Sequence, residues 1–277
     1  RPAGHWNLYP LVYRADAPLG GTPDLFELSP RELVARARLF APGAIVQVNH
    51  PRSGAPTGMF DVVAFDRATA QATHGDMAPT FDAIEVWNGR ALHAADDVLL
   101  DWLALLRTGA RITGTANSDS HAIVVQEIGY PRTCFHSPGG GARLPTADDV
   151  VHALRVDRDA VLTDGPMIHV SAPGLPRAIG RIVPGDGPSV ALTVRVDSAR
   201  WNAPDTLEML HADGRAEPVT ASFAREGERV HAEATVTVAR TEGFVLFRAR
   251  GAVRIPVLVD DPPLTPLAFT NPIYLHP

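Results

Sequence analysis

Four side chains have the types and settings for metal chemistry: His5, His50, Asp119 and His121. Neutral imidazole and carboxylate are good ligands for borderline divalent ions such as Zn, Mn or Fe. Cys134 is the only cysteine, so an intramolecular disulfide and a CxxC site are excluded, and any metal must use His, Asp or Glu. In Asp119-Ser120-His121 two ligands stand two residues apart. Both can point to one side of an extended segment, and the neighbouring polar residues supply a turn that exposes them. A divalent ion lowers the pKa of a bound water towards neutrality and neutralises charge developing on a phosphoryl or carbonyl oxygen, so the chemistry implied is hydrolysis. Arg52, directly after the His50 motif, and Arg132 could hold an anionic substrate group by paired hydrogen bonds. The competing reading of each is a surface arginine in an ordinary ion pair.

The other candidates are weaker. His74, His93, His136, His152, His169, His211, His231 and His276 stand in expected loops, helices or strand faces without a partner motif. Cys134 lies near His136, but a nucleophilic pair needs spatial contact and an activating environment that spacing does not supply. Trp6, Trp87, Trp102 and Trp201 read as packing residues, with Trp6 and Trp87 placed to line the mouth of the metal site.

The elements that must position these residues are legible as strand and helix units up to about residue 170. Ser29-Pro30-Arg31-Glu32 begins a helix: Ser29 caps, Pro30 suits the first helical position, and Glu32 reaches back to complete a capping box. Residues 44–48 form a short apolar strand that runs into Asn49-His50-Pro51, so His50 sits at a strand's carboxyl end. Residues 83–87 repeat the arrangement before Asn88-Gly89, and a helix containing Val98, Trp102 and Leu106 follows, stopped by Gly109. A third strand over 112–116 leads into Asn117-Ser118-Asp119-Ser120-His121. Barrel and open α/β enzymes build sites at such strand ends. Thr146-Ala147-Asp148-Asp149 starts another helix, and 160–163 is the next strand. Pro138-Gly139-Gly140-Gly141 reads as a flexible loop, since no strand-to-helix context surrounds it.

From about 173 onward β-branched residues alternate with polar ones, as in Val190, Leu192, Val194 and Val196, and again in Val230, Ala232, Ala234, Val236 and Val238. Asp213-Gly214 supplies a hairpin turn, and Glu226-Gly227 and Glu242-Gly243 mark further strand ends. This predicts a small antiparallel β-sandwich over 173–277, immunoglobulin-like, joined through the Gly/Pro-rich stretch 173–187, with the 268–277 tail packing back on the first domain.

The charge balance of 25 basic against 31 acidic residues gives −6, which offers no electrostatic footprint for a nucleic-acid backbone. No apolar run approaches the roughly 18 residues a membrane helix needs. The partner expected is therefore a small-molecule substrate. Cytoplasmic and envelope or secreted locations both remain open.

Six short motifs occur in order: Gly4-His5-Trp6-Asn7, Val48-Asn49-His50-Pro51, Ile84-Glu85-Val86-Trp87-Asn88-Gly89, Ser118-Asp119-Ser120-His121, Thr163-Asp164-Gly165-Pro166 and Thr270-Asn271-Pro272-Ile273-Tyr274. Together they resemble the polymerase and histidinol phosphatase (PHP) superfamily of metal-dependent hydrolases, in the CehA/McbA branch named for carbaryl hydrolases. The resemblance implies an α/β fold: the later part of a distorted (β/α)7 barrel over 1–172, followed by the sandwich. It implies two or three divalent ions, with His5 and His50 on one metal, Asp119 on a second and His121 on a third. Glu85 either orients a ligand from behind or is a buried, paired structural carboxylate, and Asn88 carries the same two readings, the first at the substrate. The family pattern opens with a His-x-His pair on its first strand, which this sequence lacks. The expectation is that this part stands upstream of Arg1. The activity implied is that of a phosphoesterase. The alternatives are a carbamate or amide hydrolase, and a non-catalytic binding protein with a degenerate metal site.

Overall fold

The computed structural model describes residues 3–77, 79–90, 92–122, 126–137, 143–256 and 263–275, with the backbone alone at 92–95. The 138–141 loop, His276 and the His93 side chain lie outside the described residues. The chain forms two compact units: the first takes in residues 1–87, 93–114 and 137–156, the second 88–92, 115–136 and 157–277. The 172/173 boundary read from the sequence falls inside the second unit.

The first unit is built from strands β1 (His5–Tyr9), β2 (Ile45–Asn49) and β5 (Ala83–Asn88) and helices α1 (Pro30–Phe40), α2 (Met59–Val62), α3 (Leu92–Arg107) and α4 (Ala147–His152). A small hairpin, β3 (Phe65–Asp66) with β4 (Gln71–Ala72), stands apart from the main sheet, and β6 (Thr113–Asn117) begins in this unit. The main sheet runs in the order β1-β2-β5-β6. β1 is antiparallel to β2, with His5 opposite Asn49, whereas β2 and β5 are parallel. The β2 and β5 runs Ile45, Val46, Val48 and Ala83, Ile84, Val86, Trp87 are buried throughout, the composition of strands covered on both faces. α1 starts as its sequence dictates. Ser29 accepts the Glu32 N–H, and the Glu32 carboxylate accepts the Ser29 N–H at 2.8 Å. α3 buries Val98, Trp102, Leu103 and Leu106, and the Trp102 indole donates to the Ile112 carbonyl at 2.9 Å. Asp82, 8% exposed, is the electrostatic anchor of this unit, gripped by Arg38 from α1 and by Arg155.

The second unit holds β7 (Arg132–Cys134), β8 (Val161–Thr163), β9 (Met167–Ser171), β10 (Ser189–Ala199), β11 (Thr206–His211), β12 (Ala216–Val219), β13 (Ala224–Glu226), β14 (Arg229–Ala239), β15 (Phe244–Arg250), β16 (Leu267–Thr270) and β17 (Ile273–Tyr274). One sheet has the order β13-β14-β10-β9; the other runs β12-β11-β15-β16-β8-β7, with β17 pairing β15. Their pairings are all antiparallel. The inward residues, among them Ile168, Leu192, Val194, Met209, Ala232, Phe247 and Ala268, share one hydrophobic core, which makes the two sheets a sandwich. The 173–187 stretch contributes Ala178, Ile179 and Val183 to that core, so it is part of the sandwich rather than a junction. The 268–275 segment likewise belongs to the sandwich, through β16, held by β15 and β8, and β17, held by β15.

The expected (β/α)7 barrel is not what this chain forms. Among the described residues, strands make up 34% and helices 19%, the strands lie in four sheets, and none of these closes into a barrel. The decisive strand is β8. Read as a barrel strand, it is instead antiparallel on both sides, to β16 and to β7. An all-apolar three-residue run satisfies a central antiparallel strand as well as a parallel one, so periodicity could not separate the two. Among the described residues, no helix is long and apolar enough to cross a membrane.

Candidate metal centre

His5 and His50 are 45 positions apart in sequence, and the β1–β2 register brings them together. His5 Nδ1 lies 3.1 Å from His50 Nε2, and the two rings meet edge to face with centroids 4.9 Å apart. At this separation the rings share an N–H···N hydrogen bond, and the same spacing suits two ligands of a single ion, whose Zn–N bonds are about 2.0–2.1 Å long. The pair therefore fits a divalent cation.

Three features hold His50 in place. Its backbone adopts φ +28°, in the left-handed region that side-chain-bearing residues avoid. The Glu85 carboxylate accepts the His50 N–H at 2.6 Å and fixes that conformation from the neighbouring strand β5. Glu85 is 3% exposed and holds the His50 backbone, an arrangement that both of its readings, ligand support and buried structural carboxylate, share. The third feature is a hydroxyl chain. His50 Nδ1 lies 2.9 Å from Ser53 Oγ, which lies 2.8 Å from Thr57 Oγ1, and Thr57 donates to the Gly54 carbonyl at 3.1 Å. Each hydroxyl has one proton to give. With the Thr57 proton directed at the carbonyl, Ser53 donates to Thr57 and must accept from His50 Nδ1–H. His50 Nε2 is then the unprotonated nitrogen and carries its lone pair towards His5. Orientation of a ligating histidine through its second nitrogen is the usual support of a metal site.

Beneath the pair, Tyr9 donates to Gln47 at 2.7 Å and Gln47 to Asn49 at 2.9 Å. Burial, together with the Asp82 and Glu85 charges, pushes the Tyr9 hydroxyl well above its ordinary pKa, so it stays a donor.

Asp119 and His121 belong to the second unit, just past β6. Both are exposed, and Asp119 has φ +47°. The His121 ring turns back on the Asp119 carbonyl, with Nδ1 2.7 Å from that oxygen, so Nδ1 carries the proton and Nε2 remains an acceptor. The Gln126 side-chain oxygen accepts the backbone N–H groups of His121 and Ala122 and so shapes the loop. The sequence placed all four residues on one cluster. The structure brings His5 to His50 and Asp119 to His121, each pair within its own unit. Among the described residues, no group of three or more His, Cys, Asp or Glu side chains is gathered as a metal cage.

The two candidate substrate arginines are engaged within the protein. Arg52 binds Asp101 at 2.6 Å, Asp61 at 3.4 Å and the Phe65 carbonyl at 3.1 Å, and its guanidinium lies over the Phe60 and Phe65 rings. Asp101 is fully buried and also receives Arg67 at 2.7 Å, so Arg52 ties α3 to α2 and β3. Arg132 donates to the Gly129 carbonyl at 3.0 Å and stacks near Tyr130. Asn88, half-buried, ends β5 immediately before Gly89, whose N–H donates to the Asn117 carbonyl at 2.9 Å.

Several contacts had no signature in the sequence. Ser53 and Thr57 support His50 only because the 50–58 turn folds back on itself. His211, set aside for lack of a partner, is buried between Glu242 at 2.9 Å and Glu217 at 3.1 Å, which come from a later turn and from β12. No family model, curated protein or solved structure matches the chain.

Proposed function

We propose that the chain is a divalent-metal-dependent hydrolase, with phosphoesters as its first substrate class and carbamates or amides as the second. The observation that carries this reading is the His5–His50 pair: two imidazole nitrogens 3.1 Å apart, one held as an acceptor by a hydroxyl chain and its backbone clamped by a buried carboxylate. The ordered motifs shared with PHP hydrolases support the same chemistry. His5 and His50 would hold one ion; Asp119 and His121, in the second unit, are a separate pair of donor groups. Such an ion, when bound, supplies Lewis acidity and activates water at neutral pH. The residues of this chain bind and orient: Ser53 and Thr57 fix the His50 tautomer, Glu85 fixes its backbone, and the Asp119 carbonyl fixes that of His121.

Elemental analysis of the purified chain after dialysis without chelator tests the assignment. The expected result is retention of about one or more equivalents of Zn, Mn or Fe, lost in His50→Ala. Equal retention by the wild type and by His50→Ala would overturn it. The second reading, a binding protein with a degenerate metal site, draws on the absence of a gathered third ligand among the described residues. It predicts no phosphoester or carbamate turnover at any metal load.

A further inference from the structure

Asp164 follows β8 in the turn Thr163-Asp164-Gly165-Pro166 and is 1% exposed. Its backbone N–H donates to the Leu267 carbonyl at 3.1 Å, and its Oδ1 accepts the Leu267 N–H at 3.0 Å, a two-point clasp on the first residue of β16. Thr163 closes the turn from inside, accepting from the Gly165 N–H at 2.8 Å and donating to the Pro166 carbonyl at 2.5 Å. Asn202, fully buried, arrives from the short turn that follows β10. Its Nδ2 donates to the Asp164 carbonyl at 2.9 Å, and its side chain also reaches the Asp164 carboxyl. Gly165 permits this approach, since a Cβ there would lie 1.9 Å from Asn202 Nδ2.

Two oxygens are left over. Asp164 Oδ2 and Asn202 Oδ1 are both buried, and neither has a hydrogen-bond partner. Buried unsatisfied acceptors are costly, and a proton on the Asp164 carboxyl turns one of them into a donor. We propose that the folded second unit binds a proton at the buried, unpartnered Asp164 Oδ2, and that losing this proton loosens the junction of β8, β16 and the 200–202 turn.

The surroundings favour the neutral acid. Arg132, from β7, is the charged group facing the carboxyl; Leu267 from β16 and Asn202 from the turn bring no titratable group. Burial outweighs the Leu267 hydrogen bond, Arg132 and Asn202, and pushes the carboxyl up to about 7. The folded state therefore holds this proton more tightly than the unfolded chain does. Its stabilising effect is complete below the ordinary carboxylate range, is lost as pH rises towards about 7, and is absent above that.

The test compares thermal and urea unfolding of the wild type and Asp164→Asn from about pH 4 to about pH 9. Asparagine is the isostere of the neutral acid: it keeps the acceptor for Leu267 and offers an N–H in place of the hydroxyl. The wild-type folding constant should fall by up to about tenfold per pH unit between the ordinary carboxylate range and neutrality, relative to a variant that lacks this component. A wild-type slope retained in Asp164→Asn would overturn the proposal. If the variant does not fold, carbon-13 NMR of the wild-type Asp164 carboxyl decides. Titration near neutrality supports the proposal, and titration in the ordinary carboxylate range refutes it.

Discussion

A histidine becomes a ligand only when one nitrogen is free and the ring is held. At His50 both conditions trace to Ser53, whose hydroxyl accepts a hydrogen bond from Nδ1–H. Ser53→Ala should release that tautomer, so that long-range nitrogen–proton NMR of the metal-free chain shows His50 shifting towards the Nε2–H form. In the same variant, Zn or Co affinity measured by calorimetry should fall roughly 10- to 100-fold, the usual loss on removing such a support. An unchanged tautomer would sink the hydroxyl-chain argument without touching the metal assignment. At this scale the sequence was informative about residue type. His50, Asp119 and His121 were singled out because they follow strand ends, and His5 because of the Gly4-His5-Trp6-Asn7 motif. Ser53 was not, because serine in a turn is ordinary and its role depends on a 2.9 Å contact created by the chain reversal. Arg52 shows the converse. A cation beside the histidine motif suggested substrate binding, yet Asp101, nearly fifty residues away and fully buried, takes it as an ion-pair partner.

Elements were legible where local chemistry decides them. The Ser29/Glu32 capping box is present at the expected residues, as is a second one at Thr146/Asp149. Ser29→Ala removes the acceptor for the Glu32 N–H and should destabilise the first unit by about 1 kcal/mol, read from the urea midpoint at constant slope. No change would mean that the reciprocal Glu32 bond suffices. The strands over 45–49, 83–88 and 113–117 match the apolar runs to within a residue or two, and the Asp213-Gly214 turn joins β11 to β12. Strand partners were another matter. β8 was placed in a barrel, yet it joins an antiparallel sheet beside β16, more than a hundred positions later, and its other neighbour β7 carried no strand signal. A strand carries no mark of its neighbour's direction when both of its faces are buried.

At the scale of the whole molecule, the sandwich core of the second unit draws on residues from 161 to 275. Phe247 is fully buried within it, on the central strand β15, which pairs with β11, β16 and β17. Phe247→Ala should cost about 3–5 kcal/mol, measured by equilibrium unfolding of the second unit's near-ultraviolet signal. A loss below about 1 kcal/mol would mean that the core collapses around the deletion, contrary to its close packing. What the sequence by itself determined was whatever depends on near neighbours: helix caps, turn glycines, the alternation of the sandwich strands, and the residue types fit for metal chemistry. Tertiary structure alone decided that β8 serves a sandwich and not a barrel, that Ser53 backs His50, and that Asp164 lies buried beside Asn202. The first and the last of these follow from long-range pairing, in which burial and hydrogen-bond satisfaction over the folded unit select among partners that are locally equivalent.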